Sequence, residues 1–84
     1  MNDKILILIY VPSIESELDF YIPINKKIGT IKLALINFIN SKFGDKIDSD
    51  ANLVMYNKKT GQIYDDNIFV KDSDLENGVK ILLI

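Results

Sequence analysis

The chain begins and ends on two apolar runs. The first is Lys4–Val11 (Lys-Ile-Leu-Ile-Leu-Ile-Tyr-Val) and the second is residues 79–84 (Val-Lys-Ile-Leu-Leu-Ile). A half-buried strand alternates apolar and polar positions. The first run does not, so both of its faces are expected to meet apolar partners, as in the interior of a sheet. Its isoleucine content and the Pro12-Ser13 that follows mark it as a strand. It is too short to cross a bilayer, which takes about 20 apolar residues as a helix. The pattern predicts that the two runs lie side by side in mid-sheet, with the core on one face and the other face left for function.

The intervening pattern fills in the remaining elements. Residues 12–16 read as a turn. Residues 17–22 alternate, with Leu18, Phe20 and Ile22 on one face, and form a hairpin with the first strand that Pro23 ends. Ile28, Ile31, Leu35, Ile39 and Phe43 fall at helical spacing, and Ile36 and Phe38 widen the stripe. Lys42 suits the negative end of that helix, and Gly44 suits the left-handed residue after it. Gly29 weakens the first turn by up to ~1 kcal/mol relative to alanine. Asn25 and Thr30 are both candidate caps. After a polar loop over 44–52 come a third strand at 53–56, a turn at 57–61 and a short fourth strand at 62–64 on an edge. An excursion anchored by Val70 and Leu75 follows. Asn77-Gly78 is a turn signal, and the fifth strand runs to the last residue.

Consecutive pairing and a right-handed return after the helix give an α+β fold of order β-β-α-β-β-β. Its mixed sheet has strand order 2-1-5-3-4 and packs on one helix. Eighty-four residues make a single domain, 1–84. The chain has no repeats or linker, and its Met start and strand end are those expected of a complete chain.

Composition narrows the chemistry. With 48% apolar and 26% charged residues the chain should fold. It has no cysteine and no histidine, which removes thiolate chemistry and the commonest general base and metal ligand. Its ten positive charges are all lysine, scattered among twelve acids. Nucleic-acid binding, which needs clustered positive charge, is therefore not expected. Asp3 neutralises Lys4 and no small-x-small cleavage site follows the apolar run, so the N-terminus is read as a strand and not a signal peptide. A cytoplasmic protein is the default expectation.

The acidic clusters carry little. Asp48-x-Asp50-x-Asn52 begins like a calcium loop, but Leu53 replaces the glycine and Lys59 the final glutamate. Asp65-Asp66, Asp72, Asp74 and Glu76 sit in predicted turns, where no burial separates their pKa values for acid–base work. No enzyme activity, metal or cofactor is expected. The outer sheet face is the better candidate. If Ile5, Ile7 and Ile9 face the helix, then Leu6, Leu8 and Tyr10 face out. Likewise Ile81 and Leu83 inward leave Leu82 and Ile84 outward, and Leu53 and Met55 inward leave Val54 and Tyr56 outward. Leu6, Leu8, Val54, Tyr56, Leu82 and Ile84 then form one patch, of the kind that marks an interaction surface.

This order of elements resembles ubiquitin and the β-grasp fold over essentially the whole chain. The likeness rests on the opening hairpin, the helix with Ile28, Ile31 and Leu35 inward, the turn at 57–61, and the closing Val70-x-Asp72-x-x-Leu75-x-Asn77-Gly78-Val79-x-Ile81-x-Leu83. More narrowly, the chain is similar to the YukD-like proteins of bacterial WXG-type (type VII, ESX-like) secretion systems. The approach to the helix, Pro23-Ile24-Asn25-Lys26-Lys27, and the step Glu76-Asn77-Gly78 carry that likeness, although Asn25 departs from the usual basic residue. The resemblance implies a non-enzymatic accessory or regulatory protein that binds a protein partner non-covalently. Secretion-system components are the implied partners, in a membrane-bound complex but without membrane insertion. It also brings Val54 and Ile84 near the patch that ubiquitin uses. A homodimer through the same face is equally consistent. The alternative is a ubiquitin-like modifier or sulfur carrier. The closing Ile81-Leu82-Leu83-Ile84 disfavours it, because such proteins thread a flexible Gly-Gly tail into an activating enzyme.

Overall fold

The elements follow the hydrophobic pattern closely. The computed structural model describes residues 3–48 and 52–84. These form β1 (Lys4–Val11), a 3₁₀ turn (Pro12–Ile14), β2 (Ser16–Pro23), α1 (Ile28–Phe43), β3 (Met55–Asn57), a second 3₁₀ turn (Val70–Asp72) and β4 (Val79–Leu83). The sheet order is β2-β1-β4-β3. β1 is antiparallel to β2 and parallel to β4, and β4 is antiparallel to β3. The two apolar runs thus occupy the centre of a ubiquitin-like β-grasp sheet.

One expected strand is nearly absent. The segment 62–64 makes only a bridge, Ile63 opposite Tyr56. Asn57 N–H donates to the Gln62 carbonyl at 2.8 Å and Tyr64 N–H to the Met55 carbonyl at 3.1 Å. The chain then turns at Asp65 towards the helix, so the expected five-strand order loses its outermost member. β3 also begins later than the apolar pattern suggests. Val54 is still tied to the sheet edge, because it exchanges both backbone hydrogen bonds with Ile84, at 2.8 and 3.1 Å.

The core lies between the helix and one sheet face. Ile28, Ile31, Leu35 and Ile39 are buried on α1 and join Ile7, Ile9, Ile81 and Leu83 in one cluster. Each such side chain contributes about 1.5–3 kcal/mol when fully buried. Val70 and Leu75 are buried as anchors of the excursion. Phe38 does not join them. It stands one residue before Ile39, about 100° round the helix, and this flank position leaves it 44% exposed. Its ring meets Phe20 edge-on, with centroids 5.2 Å apart.

The start of the helix is satisfied in an unexpected way. The N-cap is Lys27, without a side-chain cap, so neither Asn25 nor Thr30 serves. The first N–H groups of a helix have no partner within it. Here Ile28 N–H donates to the Ile68 carbonyl and Gly29 N–H to the Asp66 carbonyl, both at 2.9 Å. Val70 N–H and Lys71 N–H donate in turn to Lys26 and Ile24 carbonyls, each at 2.9 Å. Residues 66–71 therefore form a strap alongside the approach to the helix. One turn further on, the Lys32 ammonium reaches Asp66 at 2.8 Å and the Leu53 carbonyl at 2.7 Å.

The strap explains Gly29. A Cβ there would stand 3.0 Å from Asp66 Cβ and 3.1 Å from the Asp66 carbonyl oxygen. Gly29→Ala should lower stability by about 1 kcal/mol, even though alanine is the better helix former by ~1 kcal/mol. Urea unfolding measures the change, and a gain in stability would show that the strap yields to the methyl group.

Candidate binding face

Directly opposed residues on neighbouring strands share a sheet face, so the pairing register sorts the outer side chains into rows. Tyr10 pairs with Glu17 on β2 and with Leu82 on β4. Leu82 pairs with Tyr56, which bridges Ile63. The neighbouring row runs from Asp19 through Leu8 to Lys80. It continues to Lys58, whose N–H donates to the Lys80 carbonyl at 3.0 Å. Leu6 pairs with Tyr21. The buried partners Ile7, Ile9, Ile81 and Met55 alternate with these positions and point to the helix.

All six residues named from the sequence lie on the face away from the helix. Leu6, Leu8, Val54, Tyr56 and Leu82 are half-buried by one another and by their neighbours, and Ile84 is 52% exposed. The face also carries Tyr21 and Ile63, 70% and 59% exposed, which the sequence reading of the patch omitted. The signal for Tyr21 was available. The alternation that turns Leu18, Phe20 and Ile22 inward turns Glu17, Asp19 and Tyr21 outward. Ile63 belonged to a strand too short for its face to be read.

Most charges on this face are segregated; the exception is Lys4, which shares the outward side of β1 with Leu6 and Leu8. Glu17 and Asp19 stand on the β2 edge, and Lys58 and Lys80 on the opposite side. The Lys58 ammonium lies 5.7 Å from the Tyr10 ring centroid, an attraction of about 0.5–1 kcal/mol at an exposed site.

Asn57, buried at the end of β3, holds the lysine-bearing turn in shape. Its Oδ1 accepts from Lys59 N–H at 2.9 Å and Thr60 N–H at 3.2 Å, and its Nδ2 donates to the Tyr64 hydroxyl oxygen at 3.0 Å. At the other end of the face, Asn77 Oδ1 accepts from Leu6 N–H at 2.7 Å, and Gly78 N–H donates to the Leu6 carbonyl at 2.7 Å. These bonds fix the register between β1 and β4.

Asp65 Oδ1 accepts from Asn67 N–H at 2.8 Å, closing a turn. Among the described residues no group of three acidic, His or Cys side chains is placed to hold a metal ion. Asp50 of the calcium-like spacing lies outside them. Among the same residues no helix is long and apolar enough to cross a membrane.

Burial pushes the Tyr64 hydroxyl up to about 12; the Asn57 hydrogen bond opposes this and Asp74 adds to it. A folded-state pKa above the unfolded value of about 10 gives stability that is full below pH 10 and is lost as pH rises towards 12. Unfolding followed across that window should show a loss of stability that Tyr64→Phe reduces. An unchanged slope in the variant would place the titrating group elsewhere.

No family model matches the chain, and no curated protein matches it in sequence. Solved structures match in fold. Ubiquitin of Caldiarchaeum subterraneum superposes with a TM-score of 0.72 at 18% identity, covering 96% of this chain and 91% of that one. A protein solved in work on molecular mimicry of SUMO in DNA repair gives 0.71 at 19% identity, covering 100% and 94%. A chain of the MycP5-free ESX-5 inner membrane complex gives 0.78 at 8% identity, covering 98% of this chain but 21% of that much longer one. Ubiquitin-like domains recur among these neighbours, and the likeness is one of fold.

Proposed function

We propose that this protein is a non-enzymatic ubiquitin-like interaction module that binds a protein partner non-covalently through its outer sheet face. The observation that carries the reading is the continuous row Tyr10, Leu82, Tyr56 and Ile63 across β1, β4, β3 and the edge bridge. Apolar side chains contiguous on a solvent-facing sheet lose water contact when a partner covers them. Their polar flanks supply orientation more than affinity.

The partner of first choice is a component of a bacterial WXG-type secretion machine, with the protein acting on its cytoplasmic side as an accessory. Two observations support this. The sequence resembles the YukD-like pattern, and a segment of an ESX-5 inner membrane complex chain shares the fold at a TM-score of 0.78. At 8% identity the second is support from architecture only.

Leu8→Asp and Leu82→Asp each put a charge in the middle of the face. Retention of a solubilised secretion complex on the immobilised protein should fall at least roughly tenfold, because an unpaired charge buried at an interface costs several kcal/mol. Leu33→Asp, on the exposed side of the helix, should bind as the unsubstituted protein does, and circular dichroism should show all three folded. Undiminished retention by both sheet variants would overturn the reading.

A further inference from the structure

The outer face is polarised in a way that an apolar patch does not require. Read from β2 across the sheet, one row is Asp19, Leu8, Lys80, Lys58, and the next is Glu17, Tyr10, Leu82, Tyr56. Each row starts acidic; the first turns basic from Lys80 onwards, and the second is apolar or aromatic after Glu17. The charged members Glu17, Asp19, Lys58 and Lys80 are all exposed.

A surface with opposite charge on its two sides is complementary to a copy of itself in only some orientations. Two sheets that face each other across a two-fold axis have that axis in the plane between them. If the axis crosses the strands, β2 lies over β2, and the acidic edge of Glu17 and Asp19 meets the same acidic edge of the other copy. If it runs along the strands between β1 and β4, the β2 edge of each copy lies over the β3 edge of the other. Asp19 then faces Lys58, Leu8 faces Lys80, Glu17 faces Tyr56, and Tyr10 stacks over Leu82, so the directly opposed charge pair is Asp19 with Lys58. Like charges directly opposed repel and opposite charges fix register, so the second arrangement is favoured over the first.

We infer that the occupant of this face, in the protein by itself, is a second copy of the chain, packed sheet to sheet about a two-fold axis parallel to β1 and β4. The inference rests on the outer face being the binding face. The result is an isologous interface in which aligned sheets pack about 10 Å apart. Strands spaced about 4.8 Å apart, with about 3.3 Å per residue, give the strand residues of β1 to β4 a footprint of roughly 400 Å² on each copy. That is about half the usual share per partner and belongs with weak, transient contacts. The dimer therefore dissociates on dilution and leaves the face available to another protein. Its charge pairs lie at the rim, where salt screens them over about 10 Å at 0.1 M.

Sedimentation velocity of the full chain over a wide concentration range tests this. A monomer–dimer equilibrium is expected that weakens as ionic strength rises from about 0.05 to about 0.5 M. Asp19→Lys and Lys58→Glu should each weaken it by roughly tenfold, through like charges brought together. The double variant Asp19→Lys/Lys58→Glu should recover most of the loss, because the swap preserves the complementarity. Both side chains are exposed, so folding is not at stake, and recovery in the double variant could not come from a damaged fold. A strict monomer, or a dimer indifferent to these substitutions, overturns the inference. Neither outcome touches the reading of the face as a site for a foreign protein, which the retention assay with Leu8→Asp and Leu82→Asp decides separately.

Discussion

The fold depends on the parallel pairing of β1 with β4, strands drawn from opposite ends of the described chain. Both are apolar at consecutive positions, and neither can be an edge without exposing a strand's worth of isoleucine and leucine. β1 satisfies one side with its hairpin partner β2 and must find its other neighbour beyond the helix. A parallel pair cannot be closed by a tight turn and needs a crossover. Everything between β2 and β4 serves that crossover. α1 covers the inner face, β3 covers the far side of β4, and the strap returns the chain across the start of the helix. Asn77 and Gly78 set the final register by gripping Leu6 on both its N–H and its carbonyl.

The same pairing creates the outer face. Because the central strands are apolar on both sides, burying Ile7, Ile9 and Ile81 against α1 leaves Leu8, Tyr10 and Leu82 turned the other way. The core and the surface patch have one cause, the absence of alternation in two strands. β2, which alternates, contributes acids to the outer face, and the turn after β3 contributes lysines. All the basic groups are lysine. An ammonium offers a point charge without the two-pronged geometry of a guanidinium, which suits contacts that orient a partner and release it.

The parts of the fold carried by local periodicity could be read from the sequence. Ile28, Ile31, Leu35 and Ile39 announced the buried side of the helix, and the β1 and β4 runs announced the centre of the sheet. The six patch positions followed from alternation applied to those two strands and to residues 53–56. What could not be read depended on contacts distant along the chain. The cap on α1 consists of main-chain carbonyls of Asp66 and Ile68, which any residue type would supply, so Asn25 and Thr30 looked eligible when neither was needed. By propensity alone Gly29 weakens the helix; its reason, Asp66 packed against it, lies nearly forty residues away in sequence. Phe38 widens the apolar stripe in sequence, yet on the flank of the helix it is half exposed and packs edge-on against Phe20. The fourth strand has strand-forming residues, but the demand for a strap draws the chain away after one bridge.

The strap has a consequence for how the molecule opens. Proteins unfold locally in cooperative units, and amide hydrogens exchange with solvent when the unit holding them opens. The N–H groups of Ile28 and Gly29 are held by carbonyls nearly forty residues further along the chain, and Val70 and Lys71 are held by carbonyls just ahead of the helix. Detaching the strap therefore frees amides in both segments at once. The first turn of α1 and residues 66–71 form one opening unit despite their separation in sequence. The last turn of the helix, secured separately by Asn40, whose amide clasps both backbone groups of Ile47 at 2.8 Å, belongs to another.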